Sequence, residues 1–351
     1  MIKVRNPNQL DIFDPWHFLT PKRRRMLESG WPGLFRRHIL PSIPVNKVSR
    51  HFSETFGRPT KELFSMLGAL ILQQAFDFTD EETVQQYAFN IQWHYGLNIT
   101  EESDSAKYIS LKTLWNNSNI VASNNLEEDI FNAGTQKLAQ VFEVNIDKQR
   151  IDSVHIKSNM RRLGRIGIFV TAIDKFLKNL QRQHKPLWES IDAELIARYQ
   201  GPKARQCFGM VKPSESAKTL SAVASDLYRL VVQFENHRQV ADMYSFNQLR
   251  RIVSEQCDVS EDGSSVAVKP AKEILSDSLQ NPSDPDATYS GHKGQGYQVQ
   301  VMETFSRCEG QQEKQQQLNL ITHVNVQRAC EHDSHALAPA IADTKVRGVA
   351  P

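Results

Sequence analysis

A chain of 351 residues with 40% hydrophobic content has enough apolar material for two ordinary domains, or for one domain carrying a large insertion. Its formal charge of +2 says little as a total, so only the distribution of charge can inform. The apolar stretch Met66 to Leu72 is far short of the roughly 20 residues that span a bilayer. The N-terminus lacks the apolar core and small-residue cleavage site of a secretory signal, so a cytoplasmic protein without a transmembrane helix is expected. Cys207, Cys257, Cys308 and Cys330 are widely spaced with no C-x-x-C pair, which argues against a zinc site or a disulfide framework and for reduced thiols.

The first 145 residues read as helical. Short helices are expected around Arg23 to Leu27 and Leu34 to Leu40. Leu63, Met66, Leu67, Leu70 and Ile71 recur at i, i+3, i+4, i+7 and i+8, which predicts an amphipathic helix with Pro59-Thr60 as its start signal. Thr79 or Asp80 caps the next, which carries Val84, Tyr87, Ala88, Ile91 and Tyr95 and ends at Gly96, forming a hairpin with the first. A further helix is expected from about Leu126 to Phe142. Each of these stripes is most simply core.

Near residue 146 the pattern becomes β-like. The run to Ile156 is short and rich in β-branched residues and predicts a buried strand bearing Asp152. Helical periodicity returns with Ile166, Phe169, Val170, Ile173, Phe176, Leu177 and Leu180, and again with Leu220, Val223, Leu227, Leu230, Val231 and Phe234, making 159–258 a helical insertion. Residues 259–290 are polar, with several Asp, Ser and Pro, and predict a flexible linker apart from Lys272 to Leu279. Tyr297, Val299 and Val301 then alternate with Gln298, Gln300 and Met302. Leu318, Leu320, Thr322, Val324 and Val326 alternate likewise, giving two half-buried strands joined by an antiparallel hairpin connection over 306–317. Asp333-Ser334 offers an N-cap for a helix with Ala336, Leu337, Ala340 and Ile341, in which Pro339 implies a kink or a later start. The order is strand, helical insertion, strand, strand, helix.

Basic residues cluster twice. Lys22, Arg23, Arg24, Arg25, Arg36, Arg37, Lys47 and Arg50 face the single acid Glu28 between residues 21 and 50, and Lys148, Arg150, Lys157, Arg161, Arg162 and Arg165 surround Asp152. Such clusters are the usual electrostatic footprint of phosphate-backbone contact, and equally that of a solvated helix face. The histidines at 155, 292, 323, 332 and 335 show no spacing that needs a metal.

Three segments together resemble the DDE transposases of bacterial insertion sequences, in the group with an N-terminal helical domain ahead of a ribonuclease-H-like core. They are RIDSVHIKSNM from Arg150 to Met160, DPDATYSGHKGQGY from Asp284 to Tyr297, and ITHVNVQRACEHDSHAL from Ile321 to Leu337. The resemblance implies an α+β, mainly helical fold: a helical N-terminal transposase domain over 1–145, then an incomplete ribonuclease-H-like sheet over 146–351. That sheet has a strand near 146–156, the helical insertion over 159–258, the linker over 259–290, and a hairpin and helix over 291–345.

It also implies transposition activity, with DNA transposon ends as partner, Mg²⁺ as cofactor and Asp152 as the first metal-binding acid. DNA contact would fall to Arg23, Arg24, Arg25, Arg36, Arg37, Arg161, Arg162 and Arg165. A DDE site holds two Mg²⁺ ions roughly 3.5 to 4 Å apart, and their preference for oxygen ligands requires two aspartates and a glutamate to converge. In the family the second aspartate follows the helix expected at 334–343 and the glutamate lies later still. The expectation is therefore a truncated chain, inactive as a nuclease by itself, with an open sheet edge and an uncovered apolar face. Asp333 is best read as an N-cap, and neither Glu303 nor Asp343 matches a catalytic context. The alternative is a transposase-derived DNA-binding regulator or inhibitor, acting as a homo-oligomer or in mixed oligomers with full-length transposase. A helical scaffold without a DNA role is the third reading.

Overall fold

The computed structural model of the chain describes residues 2–9, 14–201, 208, 211–305, 310 and 318–351. It divides into two compact units, one of Met1–Ile151, Met302–His323 and Ala338–Pro351, the other of Asp152–Val301 and Val324–Leu337.

The first unit opens with α1 (Pro21–Ser29) and α2 (Trp31–Leu34), continued by a π-helical turn over Phe35–Ile39 and a 3-10 turn over Leu40–Ser42. Gly33 is required between α1 and this turn, because a Cβ there would lie 2.1 Å from the Glu28 carbonyl oxygen. After α3 (Val45–Ser49), helix α4 runs Leu63–Ala75. Its cap is Glu62, whose carboxylate accepts from the Phe64 and Ser65 N–H groups, and not the expected Pro59-Thr60. Thr60 instead accepts from the Lys3 N–H at 2.9 Å, within a segment that bridges Lys3 to Glu62 in parallel fashion.

The expected second helix is two helices, α5 (Asp80–Phe89) and α6 (Ile91–Gly96). Thr79 and Glu82 form a complete capping box at the start of α5. Asn90 ends it by adopting an extended backbone while its side chain accepts from the Gln92 N–H at 2.8 Å, which caps α6. Then follow α7 (Asp104–Lys107), α8 (Leu111–Ser123) and α9 (Leu126–Val141), the last where the sequence places it. Helix α8 escapes periodicity because Asn116 to Asn119 interrupt its apolar residues, yet Ser110 caps it through the Thr113 N–H. Met66, Leu67 and Leu72 of α4 are buried with Phe35, Leu40, Tyr87, Trp93 and Leu114 in one core, whereas Leu70 and Ile71 are only partly covered.

The second unit is built on α10 (Arg165–Gln183), α11 (Lys185–Glu189), α12 (Ala193–Gln200), α13 (Ser216–Phe234), α14 (Arg238–Ala241) and α15 (Tyr244–Gln256). The stripe Phe169, Val170, Ile173, Phe176, Leu177 and Leu180 is buried as its spacing predicts. Phe176 lies with its ring centroid 5.8 Å from Phe234 and 5.7 Å from Phe246, which joins α10 to α13 and α15.

In the segment 259–290, expected to be flexible apart from Lys272 to Leu279, the remainder is tied down as well. Strands β2 (Cys257–Val259) and β3 (Val266–Val268) pair antiparallel, Leu279 is fully buried, and backbone carbonyls of the segment accept from helical side chains. Arg251 donates to the Asp277 and Pro285 carbonyls, and Lys175 and Gln248 donate to Pro282. Composition marked the stretch as polar; its hydrogen bonds to distant residues are what order it.

The four-stranded sheet has β5 (Gly294–Thr304) at its centre. It pairs with β1 (Gln149–Lys157), with β4 (Thr288–Ser290) and with β6 (Ile321–Arg328). Strand β1 starts later than expected and is not buried, alternating half-buried and exposed residues throughout. On β5 the covered positions include Gln298, Gln300, Met302 and Thr304, while Tyr297 and Val301 are half-buried, so the expected apolar-in, polar-out alternation does not hold. The hairpin connection expected over 306–317 lies outside the described residues, Gly310 apart. So do Cys207 and Cys308; Cys257 and Cys330 are free thiols.

A 3-10 turn over Asp333–Ala336 leads into α16 (Leu337–Val346). Pro339 is the third residue of α16, a position whose N–H has no intrahelical partner, so a later start resolves its placement. The cap of the turn is His332, not Asp333: its ring accepts from the Ser334 N–H at 3.2 Å. No helix among the described residues is long and apolar enough to cross a membrane.

Candidate nucleic-acid interface

In the second unit, Asp152, Val154 and Ile156 project from one side of β1 and are exposed, while Ser153 and His155 project from the other. The Ser158 N–H donates to the Gln295 carbonyl at 3.2 Å, which sets Ile156 across from Tyr297, Val154 from Val299 and Asp152 from Val301. Gly296 lets the strands come this close: a Cβ there would lie 2.1 Å from the Ile156 carbonyl oxygen. The Ser158 and Tyr297 hydroxyls both donate to Asp284, anchoring the DPDATY segment to these strands. Burial, and then the Asp284 carboxylate, push the Tyr297 hydroxyl well above its ordinary pKa.

Asp152 accepts from the Ser153 N–H at 2.7 Å and is otherwise open to solvent. Asp333 lies on the opposite side, where it accepts from the Ser153 hydroxyl at 3.1 Å and from the Gln298 amide. The two acids therefore occupy different faces. His155 is held below its ordinary pKa by burial and by the cations of Lys293 and Lys157, so it is neutral at pH 7.

In the first unit Glu303 pairs with Arg150 at 2.6 Å, and Asp343 is engaged by His323 at 2.6 Å and by Arg347. No group of three or more His, Cys, Asp or Glu side chains that could hold a metal occurs among the described residues. An Mg²⁺ pair needs several converging carboxylates, and Asp152 is one, so the described residues do not by themselves make that site.

The arginines of the first cluster differ sharply in circumstance. Arg24 is paired with Glu28 at 2.9 Å and with Asp14, which raises its pKa further. The Trp16 N–H, more than Arg24, holds Asp14 below the usual carboxylate range. Arg37 donates to the Gly33 and Glu28 carbonyls, both at 3.1 Å, and so braces the π-helical turn against α1. Arg36 stacks 4.8 Å over the Tyr95 ring and 6.0 Å from that of Trp16. Arg23 and Arg25 are exposed on α1, and their guanidinium groups make no hydrogen bond or ion pair among the described residues.

The second cluster divides in the same way. Arg165 is half-buried and donates to the Gln256 side chain and to the Lys269 carbonyl, and burial lowers its pKa. Arg162 lies 5.6 Å over Tyr289, and Arg161 is exposed. Charge counting could not separate these roles, because carbonyls and rings from distant residues define them. Only the aromatic Trp16 and Tyr95 offered a signal, and their nearness to Arg36 is tertiary.

No curated protein and no solved structure matches the chain. Residues 28–119, from the end of α1 through most of α8, match the family described as Transposase domain (DUF772). Much of the helical first unit is thus similar to a transposase domain, and the match supports a transposase-related role.

Proposed function

We propose that this chain acts on mobile-element DNA as a DDE transposase polypeptide, its helical unit gripping transposon-end DNA and Asp152 serving as the first acid of a two-metal site. The match at residues 28–119 carries the reading, together with cations on the adjoining α1 that have no ion-pair partner among the described residues. The order β1, helical insertion, β5, β6, α16, with β5 paired to both other long strands, supports reading the sheet as the first strands of a ribonuclease-H-like core. Bound Mg²⁺ would activate the attacking oxygen and stabilise the leaving one. Asp152 would supply one ligand, and cleavage needs further carboxylates beside it. DNA binding, alone or in oligomers, is therefore the activity proposed for the described residues.

The test is a gel-shift titration with transposon-end duplex against random duplex at several salt concentrations, with Mg²⁺ or Mn²⁺ present and strand cleavage followed in parallel. End DNA is expected to bind at least roughly tenfold more tightly, as one or two specific base contacts allow. Equal affinities with a steep salt dependence would reduce the reading to unspecific phosphate attraction. Cleavage abolished by Asp152→Asn would show that this chain completes the site.

A further inference from the structure

We propose that α8 is a self-association face, through which two copies of this chain pair antiparallel across a two-fold axis. Leu111, Trp115, Ser118 and Ala122 are all exposed, Trp115 by 60% and Leu111 by 44%. Their spacing of four, three and four residues puts them within about 60° of the helix circumference, the seam of a helix pair. The opposite flank, with Leu114 and Asn117, is buried against the unit's own core.

Two features select a second copy as the occupant, and antiparallel as its direction. The seam is large at its N-terminal end and small at its C-terminal end. Antiparallel pairing sets Leu111 and Trp115 of one copy against Ala122 and Ser118 of the other, whereas parallel pairing would stack Trp115 on Trp115.

Charge is arranged the same way. Lys112 is the one formal charge on α8, which has no acid in its first turn and no base in its last. Just beyond its C-terminus, Glu127 and Glu128 are exposed at the start of α9. In the antiparallel pair Lys112 reaches the partner's last-turn carbonyls and these acids; a parallel pair would bring like charges together. An anchor tryptophan on a helix that carries a single charge is also the composition of an interface centre. The contact is narrow, since a helix of this length is about 20 Å long, so association on the order of micromolar strength is expected.

Sedimentation equilibrium of the full chain tests this, with circular dichroism confirming that each variant is folded. A dimer is expected that weakens about tenfold or more in Trp115→Ser. Lys112→Glu should weaken it several-fold while leaving thermal stability unchanged or higher, because an acid in the first turn of a helix is favourable in the monomer. Mixing Leu111→Cys protein with Ala122→Cys protein should give a disulfide-linked heterodimer. A chain that stays monomeric at concentrations on the order of 100 μM would overturn the proposal. So would a dimer indifferent to both substitutions, or Leu111→Cys protein that cross-links to itself. If the protein is monomeric and Trp115→Ser loses duplex DNA instead, the face belongs to DNA and the proposal fails.

Discussion

The sharpest prediction concerns which arginines of the N-terminal cluster meet phosphate. Arg24 and Arg37 are engaged within the protein, by Asp14 and Glu28 and by two backbone carbonyls, whereas Arg23 and Arg25 are exposed on α1 without such partners among the described residues. Each cation that neutralises a phosphate contributes about 0.9 to the slope of log affinity against log salt. The double variant Arg23→Ala/Arg25→Ala should therefore flatten the slope by about 1.8, and lose roughly tenfold less affinity than the unmodified protein between 50 and 200 mM salt. Replacing Arg24 should change the slope little and cost up to about 1 kcal/mol of stability, because both its ion pairs are partly exposed. Arg37→Ala should cost about 1 kcal/mol through the two carbonyls it leaves behind. Fluorescence anisotropy with a labelled duplex measures the slopes, and urea titration the stabilities. If Arg24→Ala or Arg37→Ala flattens the slope as much as the loss of Arg23 and Arg25, internal pairing does not select the DNA contacts and the reasoning is refuted.

Three further outcomes can be checked. Phe176→Ala empties the point where three helices of the second unit meet and should cost about 3 to 5 kcal/mol, read as a lowered urea midpoint. Gly296→Ala should loosen the β1–β5 ladder, since its Cβ would overlap the Ile156 carbonyl; faster hydrogen exchange at the Ser158 N–H is the readout, and unchanged protection would contradict it. For Asp343, burial raises the pKa, but Arg347 and His323 outweigh it, so the folded value lies below the unfolded one. The sign follows: this carboxylate's contribution is present above the ordinary aspartate pKa of about 3.9 and is lost as pH falls through the depressed folded value. Asp343→Asn should therefore lower stability near neutrality and flatten the acid limb of the stability profile below about pH 4.

Helix periodicity was the most legible part of the chain. Phe169 to Leu180 on α10 and Met66 and Leu67 on α4 are buried as spacing demanded, because an amphipathic stripe is a local property that survives whatever it packs against. Capping was readable where its chemistry is self-contained, as in the Thr79–Glu82 box. It misled where the partner was remote or the better acceptor lay nearby, as at Thr60 and Asp333.

For the candidate site, the motifs located β1, β5 and β6, and the residue type made Asp152 conspicuous. Its exposure, and the placement of Asp333 on the other face of β1, depend on strand pairing between residues more than a hundred positions apart. The same is true of the covered glutamines on β5 and of the ordered segment 259–290. Burial and hydrogen bonding there are set by whatever packs alongside, and a polar composition carries no record of it. Local order, helix faces and the presence of a basic cluster were thus written in the chain itself. Which cations are free, which acids share a face and which polar stretch is fixed were decided by the fold, because each depends on atoms brought together from distant positions.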